Sequence, residues 1–204
     1  MKIHPSFLHK LVLFCGPSGS GKTTIVHHLL KVFPKMRFSI SATTRSKRTN
    51  ETDGKDYYFL TPDEFRTRIA NNEFLEWEEV YHDRFYGTLK SEVQHILEEG
   101  YIALFDVDVE GGLAIRKEFG RQMLDVFVMP PSVDELHKRL VARATESEES
   151  LRKRLDKAEK EMTYAYRFNH VVVNTVLQES YTTAEKLVQE FLDDVIPDVE
   201  ENEN

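Results

Sequence analysis

The stretch Leu11-Val12-Leu13-Phe14-Cys15-Gly16-Pro17-Ser18-Gly19-Ser20-Gly21-Lys22-Thr23-Thr24 constrains this chain more than any other. Leu11 to Cys15 reads as a short apolar strand. A glycine-rich loop follows, and then Ile25, Val26, Leu29, Leu30 and Phe33 recur at the spacing of one helix face. Gly16, Gly21, Lys22 and Thr23 satisfy G-x-x-x-x-G-K-[ST], with a strand before and a helix after, as a phosphate-binding loop requires. A chance match in an ordinary loop would lack those flanks.

Each residue type has a physical reason. Glycines let the backbone curl until successive N–H groups point into one hollow that fits phosphate oxygens. The helix start adds about half a positive charge there. Lys22 can reach β- and γ-phosphates as a point charge, and the Thr23 hydroxyl suits the Mg²⁺ that travels with ATP. Pro17, Ser18, Gly19, Ser20 and Thr24 complete the expected ATP-binding stretch. The loop by itself implies a nucleotide-phosphate site, not a reaction.

At 204 residues the chain can bury one substantial core with insertions, and is short for two independent domains. A net charge of −8 argues against nucleic acid or an anionic membrane as the main partner, because both demand clustered cations. One cysteine permits no intramolecular disulfide and suits a reducing cytoplasm; Cys15, ending an apolar strand, reads as a small buried side chain. No apolar run approaches the roughly 20 residues needed to span a bilayer. The first residues lack the apolar region and cleavage site of a signal peptide. The expected location is therefore the cytoplasm, with no obligate protein partner evident.

Along the chain, Met1 to His9 reads as a loose leader, Arg37 to Ser41 as a strand and Thr43 to Lys55 as a polar loop. Tyr57 to Leu60 is strand-like, and Thr61-Pro62-Asp63-Glu64 is a capping box opening a helix to about Asn71. Leu75 to Tyr81 reads as a strand interrupted by glutamates, and Ser91 to Glu99 as an amphipathic helix stopped by Gly100. Tyr101 to Val107 and Met123 to Met129 are nearly continuous apolar strands of the kind buried on both faces, separated by a helix to Phe119. Ser132 and Glu135 cap a helix to about Arg143, and a long charged helix covers roughly Ser147 to Arg167. Val171 to Val173 reads as a last buried strand, and Ser180 to Val195 as a helix with Ala184, Leu187, Val188, Phe191, Leu192 and Val195 on one stripe. Asp198 to Asn204 is an acidic tail expected to be disordered.

Strands alternating with helices imply an α/β fold, a parallel sheet flanked by helices. The polar, closely spaced strands of 39–89 break that rhythm and read as an inserted lobe of mostly antiparallel strands. The charged helices of 132–167 read as a lid, mobile because it has little apolar surface. The core of this single domain is then 10–38, 90–131 and 168–197.

A second constellation lies in and just after the inserted lobe: Arg45, Arg48, Glu51, Tyr57, Glu76, Tyr86 and Thr88. Together with Asp106-Val107-Asp108, Pro130-Pro131-Ser132, Arg139, Arg143 and Glu148 to Arg154, it resembles guanylate kinase, from the phosphate loop to about Asn174. The resemblance implies transfer of the terminal phosphoryl group of MgATP to GMP or dGMP. It implies that Arg45, Arg48, Tyr57 and Tyr86 hold the GMP phosphate, with Glu51 in the same site. Forked arginines and phenolic hydroxyls suit such an anion, although two arginines alone would read as a solvated basic loop.

By the same resemblance Ser41, Glu76, Thr88 and Asp108 contact guanine, and Asp106 belongs to the metal's water shell beside Thr23. Guanine presents two adjacent donors that a carboxylate accepts as a pair. A site built on such bonds can reject the wrong base by roughly 10⁴-fold or more. Otherwise Glu76 is one more surface glutamate among Glu73, Glu78 and Glu79. Lys22, Arg48, Arg139, Arg143 and Arg154 are the implied catalytic cations. For Arg139, Arg143 and Arg154 the plain alternative is salt bridging with Glu135, Glu148 and Glu149.

The sequence departs from the family pattern at Glu110 (usually glutamine), Ala144 (usually glycine) and Thr175 (usually aspartate), leaving Asn174 as the implied contact to the ATP base. Two other functions fit parts of the pattern. A non-catalytic module binding phosphorylated peptides would have degraded the ATP loop, and a sugar-phosphate kinase would not need the guanine set.

Overall fold

A computed structural model describes residues 11–143 and 148–193. The strands are Leu11–Cys15 (β1), Met36–Phe38 (β2), Ser41–Thr43 (β3), Tyr58–Phe59 (β4), Phe74–Tyr81 (β5), Arg84–Leu89 (β6), Ile102–Asp106 (β7), Leu124–Met129 (β8) and His170–Val173 (β9). The α-helices are Lys22–Val32 (α1), Pro62–Ala70 (α2), Lys90–Glu98 (α3), Val109–Phe119 (α4), Val133–Arg143 (α5), Glu148–Met162 (α6) and Leu177–Asp193 (α7).

Five strands form a parallel sheet in the order β2-β7-β1-β8-β9, which puts the strand feeding the phosphate loop in the middle, buried throughout. Its alternate side chains serve two cores. Leu11, Leu13 and Cys15 pack with Phe105, Phe127 and residues of α3 and α4, whereas Val12 and Phe14 pack with α1 and α7. A central strand covered on both faces explains the unbroken apolar run. Burial also pushes the Cys15 thiol well up, as suits an inert core residue.

The lobe is a second, four-stranded sheet, β4-β3-β6-β5, antiparallel except where β3 meets β4. Helix α2 covers one face through Phe65, whose ring stacks on Phe74 at 4.2 Å and Phe85 at 5.1 Å. Its start carries the expected reciprocal capping box between Thr61 and Glu64. The other face is left to the cleft. In the segment expected as a lid, α5 and α6 pack through Leu136, Leu140 and Ala158.

Several elements differ from the sequence reading. The strand expected over 37–41 is two: after the Ser39 N–H bonds to Leu104 O at 2.9 Å, the chain leaves the central sheet and begins β3 in the lobe. Strand β6 carries no clear strand signal in the sequence, because its Gly87 and Thr88 break the usual apolar alternation. The long lid helix ends at Met162, and Ala165–Arg167 is a separate 3₁₀ turn. The last strand is not buried on both faces. As the edge strand it buries Val172 but leaves Val171 45% and Val173 54% exposed. The leader before Leu11, Ala144, Val195 and the acidic tail lie outside the described residues. Among the described residues no helix is long and apolar enough to cross a membrane.

Candidate active site

The phosphate loop joins β1 to α1 and closes on itself. Gly16, at φ +142°, sits where a Cβ would lie 2.4 Å from Val128 O, so only glycine lets the loop press on β8. Gly21, at φ +95°, forms the last turn before the helix, where a Cβ would strike the Asn174 amide. Lys22 folds back across the loop, and its Nζ donates to Gly16 O at 2.7 Å and Pro17 O at 3.3 Å. At the first turn of α1 the Thr23 hydroxyl donates to Asp106 Oδ2 at 2.6 Å, bringing together two hard oxygen groups from separate segments. Magnesium prefers oxygen groups of this kind.

Across the cleft, the lobe sheet arranges its polar side chains by strand register. Ser41 of β3, Thr88 of β6 and Glu76 of β5 stand opposite one another in one row. Tyr86 and Glu78 pair in the next row. A register shift between Phe74 and Glu76 creates this face. Phe74, opposite Leu89, enters the lobe core; one extra residue, Leu75, then turns Glu76 to the other side, opposite Thr88. The Thr88 hydroxyl donates to Glu76 Oε1 at 2.6 Å. Burial pushes the Glu76 carboxyl up to about 7, with the Thr88 hydrogen bond acting against it and Asp108 adding to it.

Arg45 lies beside the rings of Tyr57 at 4.9 Å and Phe59 at 5.6 Å, and both ends of its guanidinium are gripped by Glu51. That fork holds the Glu51 carboxyl down to about 2 and raises Arg45 above its ordinary value. Glu51 also accepts the Arg48 N–H at 2.8 Å, while the Arg48 side chain stays 76% exposed. Tyr57 and Tyr86 meet edge to face at 6.1 Å. Burial raises the Tyr57 phenol, which keeps it a neutral donor.

The lid crosses between the two sites. Arg154 Nη2 donates to Ser18 Oγ at 3.1 Å, and Lys157 Nζ donates to Asp108 Oδ2 at 3.1 Å and Glu78 Oε1 at 3.2 Å. Between them lies a cleft of about 960 Å³ lined by Gly16, Ser18 and Lys22 on one side, Arg45, Arg48 and Tyr86 on the other, and Asp108, Arg154 and Lys157 at the seam. The phosphate-loop motif and the arginines of the lobe thus share one hollow.

Comparison with known proteins decides the family. The family model described as guanylate kinase matches residues 8–191. The chain belongs to the guanylate kinase family. The guanylate kinase of Bacteroides fragilis is 50% identical over 183 residues, 90% of each chain, and that of Salinibacter ruber is 50% identical over 182 residues, 89% of this chain and 96% of the relative. The crystal structure of guanylate kinase from Anaplasma phagocytophilum superposes with a TM-score of 0.69 at 27% identity, covering 88% of this chain and 84% of that one.

Within this guanylate kinase fold most residues singled out from the sequence converge on the cleft, three make contacts the expectation did not include, and a fourth lies outside the described side chains. Glu51 turns both carboxylate oxygens to Arg45, so it orients an arginine rather than meeting an anionic phosphate. Asn174, expected at the ATP base, is 5% exposed behind the loop: Nδ2 donates to Ser20 O at 2.8 Å and Oδ1 accepts from Ser180 Oγ at 3.0 Å. Arg139 spans Glu135 at 3.0 Å and the Asn174 carbonyl at 3.1 Å, the salt bridge of its plain reading together with a tether to the loop's support. Arg143 ends α5, and its side chain lies outside the described residues, as do those of Glu148 and Glu149. Sequence reasoning passed over Glu78 and Lys157. Strand periodicity gives the missing signal for Glu78, which shares a face with Glu76 two residues earlier. Lys157, i+3 from Arg154, shares its helix face.

Proposed function

We infer that the chain is an ATP:GMP phosphotransferase: it moves the γ-phosphoryl group of MgATP to a phosphate oxygen of GMP or dGMP, giving ADP and the nucleoside diphosphate. The observation that carries this reading is the single cleft shared by Lys22 and Arg45, within a chain of the guanylate kinase family. In our reading the loop from Gly16 to Thr24 holds the ATP phosphates. Arg45, Arg48, Tyr57 and Tyr86 hold the GMP phosphate, and Ser41, Glu76, Thr88 and Asp108 receive guanine. Glu51 and Asn174 act behind these as supports. The core, lobe and lid divide the work as donor platform, acceptor platform and cover.

The chemistry needs little from the side chains beyond charge and alignment. The acceptor phosphate is already ionised near neutral pH, so its oxygen attacks without a general base. As the new P–O bond forms, the bond from the γ-phosphorus to the bridging oxygen breaks and ADP leaves with the electron pair. In this reading Lys22, Arg48 and Arg154 neutralise charge on the transferring group, with Arg139 and Arg143 on the neighbouring helix. Thr23 and Asp106 would hold Mg²⁺, directly and through water; the ion would neutralise phosphate charge when bound. The Arg154–Ser18 contact draws α6 over the loop, which excludes water that would otherwise take the phosphoryl group. A cytoplasmic setting follows from substrates of this kind and is part of the proposal.

The test is an assay of ADP formation with GMP, dGMP, AMP and a sugar phosphate as acceptors. Turnover with GMP and dGMP far above AMP is the expected result. No ADP with any acceptor would instead indicate a binding module, and preference for the sugar phosphate a different kinase.

A further inference from the structure

The acidic floor of the cleft is bridged by a cation that comes from the lid. Lys157 Nζ lies 3.1 Å from Asp108 Oδ2, 3.2 Å from Glu78 Oε1 and 3.7 Å from Glu161 Oε1. The three carboxylates belong to different parts of the molecule: the residue capping α4 in the core, strand β5 in the lobe, and α6 itself. Glu161 is 5% exposed and its Oε1 has no hydrogen-bond partner; burial pushes its carboxyl up to about 7, with the Lys157 ammonium acting against that rise. An ordinary i,i+4 bridge on a helix surface would join Lys157 to Glu161 alone and contribute little. Here one side chain ties lid, lobe and core together.

We propose that Lys157 is a positioning residue of the acceptor site, which links the seating of the lid over ATP to the carboxylate that receives guanine. The proposal rests on the phosphotransferase reading above. Arg154 and Lys157 stand one turn apart on one face of α6. Arg154 reaches the phosphate loop through Ser18 while Lys157 reaches Asp108, so one helix position satisfies both. Asp108 is fixed at both oxygens, Oδ1 by the Gly111 N–H at 2.9 Å and Oδ2 by Lys157. Each carboxylate oxygen accepts two hydrogen bonds, which leaves capacity for the donors of guanine.

The same ammonium decides where charge sits. Glu78 is pushed up to about 7 by burial with Asp108 beside it. With the ammonium removed, Asp108 and Glu78 face each other uncompensated. Without the cation that bridges them at 3.1 Å and 3.2 Å they separate, and Asp108 moves out of its receiving position.

The experiment is steady-state kinetics on the full chain for Lys157→Met and Lys157→Arg. Lys157→Met should raise KM for GMP about tenfold while KM for MgATP stays within about twofold, a split that general loosening of the lid would not produce. Lys157→Arg, which keeps a cation able to bridge two carboxylates, should recover most of the loss. Glu78→Gln should raise KM for GMP by a smaller factor, and the double variant should fall short of the product of the two effects. Should Lys157→Met fail to fold, the GMP-over-ATP split in Glu78→Gln carries the test. Equal rises in both KM values, an unchanged KM for GMP, or strictly multiplicative effects would overturn the proposal. A wild-type chain that turns over no GMP overturns the functional reading and this inference together.

Discussion

The phosphate loop and the lobe sheet both offer donors to a phosphate, and they are built by opposite means. The loop takes its donors from backbone N–H groups of one short run, fixed by glycine conformations and by pressure against β8 and Asn174. The lobe takes its donors from side chains on β6 and on the segment between β3 and β4, each aimed by strand register or by a partner such as Glu51. A backbone cradle binds any phosphate tail and carries no information about the base attached to it. A side-chain site can discriminate, but it depends on packing far from the ligand: the Phe65, Phe74 and Phe85 stack and the extra residue at Leu75 both decide where Glu76 points. The donor site thus gives grip and the acceptor site gives choice.

If that division holds, the largest effect comes from the one charged side chain the loop contributes. Lys22→Ala should lower kcat by roughly 10³-fold or more, as loss of a cation from a transferring phosphoryl group does. GMP binding measured by calorimetry should change little. Collapse of GMP affinity as well would mean that the two sites are not separable.

Glu76→Gln probes the other side. If Glu76 receives guanine as proposed, the substitution replaces that acceptor with an amide carrying donors of its own, and KM for GMP should rise roughly 10- to 100-fold with MgATP little affected. Equal losses for both substrates would remove Glu76 from the base site. The variant also has a pH signature. The folded protein holds the Glu76 carboxyl up to about 7, above its ordinary 4.5, so the stability tied to its proton is present below about 4.5 and is lost as pH rises through about 7. Glutamine carries no such loss. Glu76→Gln should therefore melt with wild type near pH 5 and several degrees above it near pH 8, read by thermal unfolding. A Tm difference that does not widen over that range would show that Glu76 is not held protonated.

The same contrast explains what the sequence made legible. The loop is a contiguous pattern whose chemistry is local, as are the capping pairs Thr61 with Glu64 and Ser132 with Glu135, and all of these could be read directly. Arg45, Tyr57, Tyr86 and Thr88 were found only by resemblance, because nothing within ten residues of any of them states which way a strand faces. The register shift at Leu75, the division of 37–41 between two sheets and the exposure of Val171 and Val173 all depend on which strand lies alongside. Glu78 looked like its solvent neighbours for the same reason, and Lys157 like one more charge on a charged helix. For Glu51 and Asn174 the resemblance gives the neighbourhood and not the partners: it implies proximity to a ligand, not the hydrogen bonds that occupy each atom.

Asn174 tests whether the loop is as self-contained as its motif suggests. Its amide joins Ser20 O to Ser180, its N–H donates to Met129 O at 2.8 Å, and its carbonyl receives Arg139, so one buried residue ties the loop to β8, α7 and the lid helix. Asn174→Ala would leave the Ser20 carbonyl and the Ser180 hydroxyl without these partners, at a cost of about 1–3 kcal/mol for the unsatisfied group. Because Gly21 turns against this amide, the loss should slacken the loop where it enters α1. KM for MgATP is expected to rise by about three- to tenfold, with KM for GMP held, the smallest of the three effects since every backbone donor survives. If Asn174 instead met the ATP base directly, adenosine alone would lose affinity in the variant along with ATP. If it supports the phosphate loop, pyrophosphate binding weakens and adenosine binding does not.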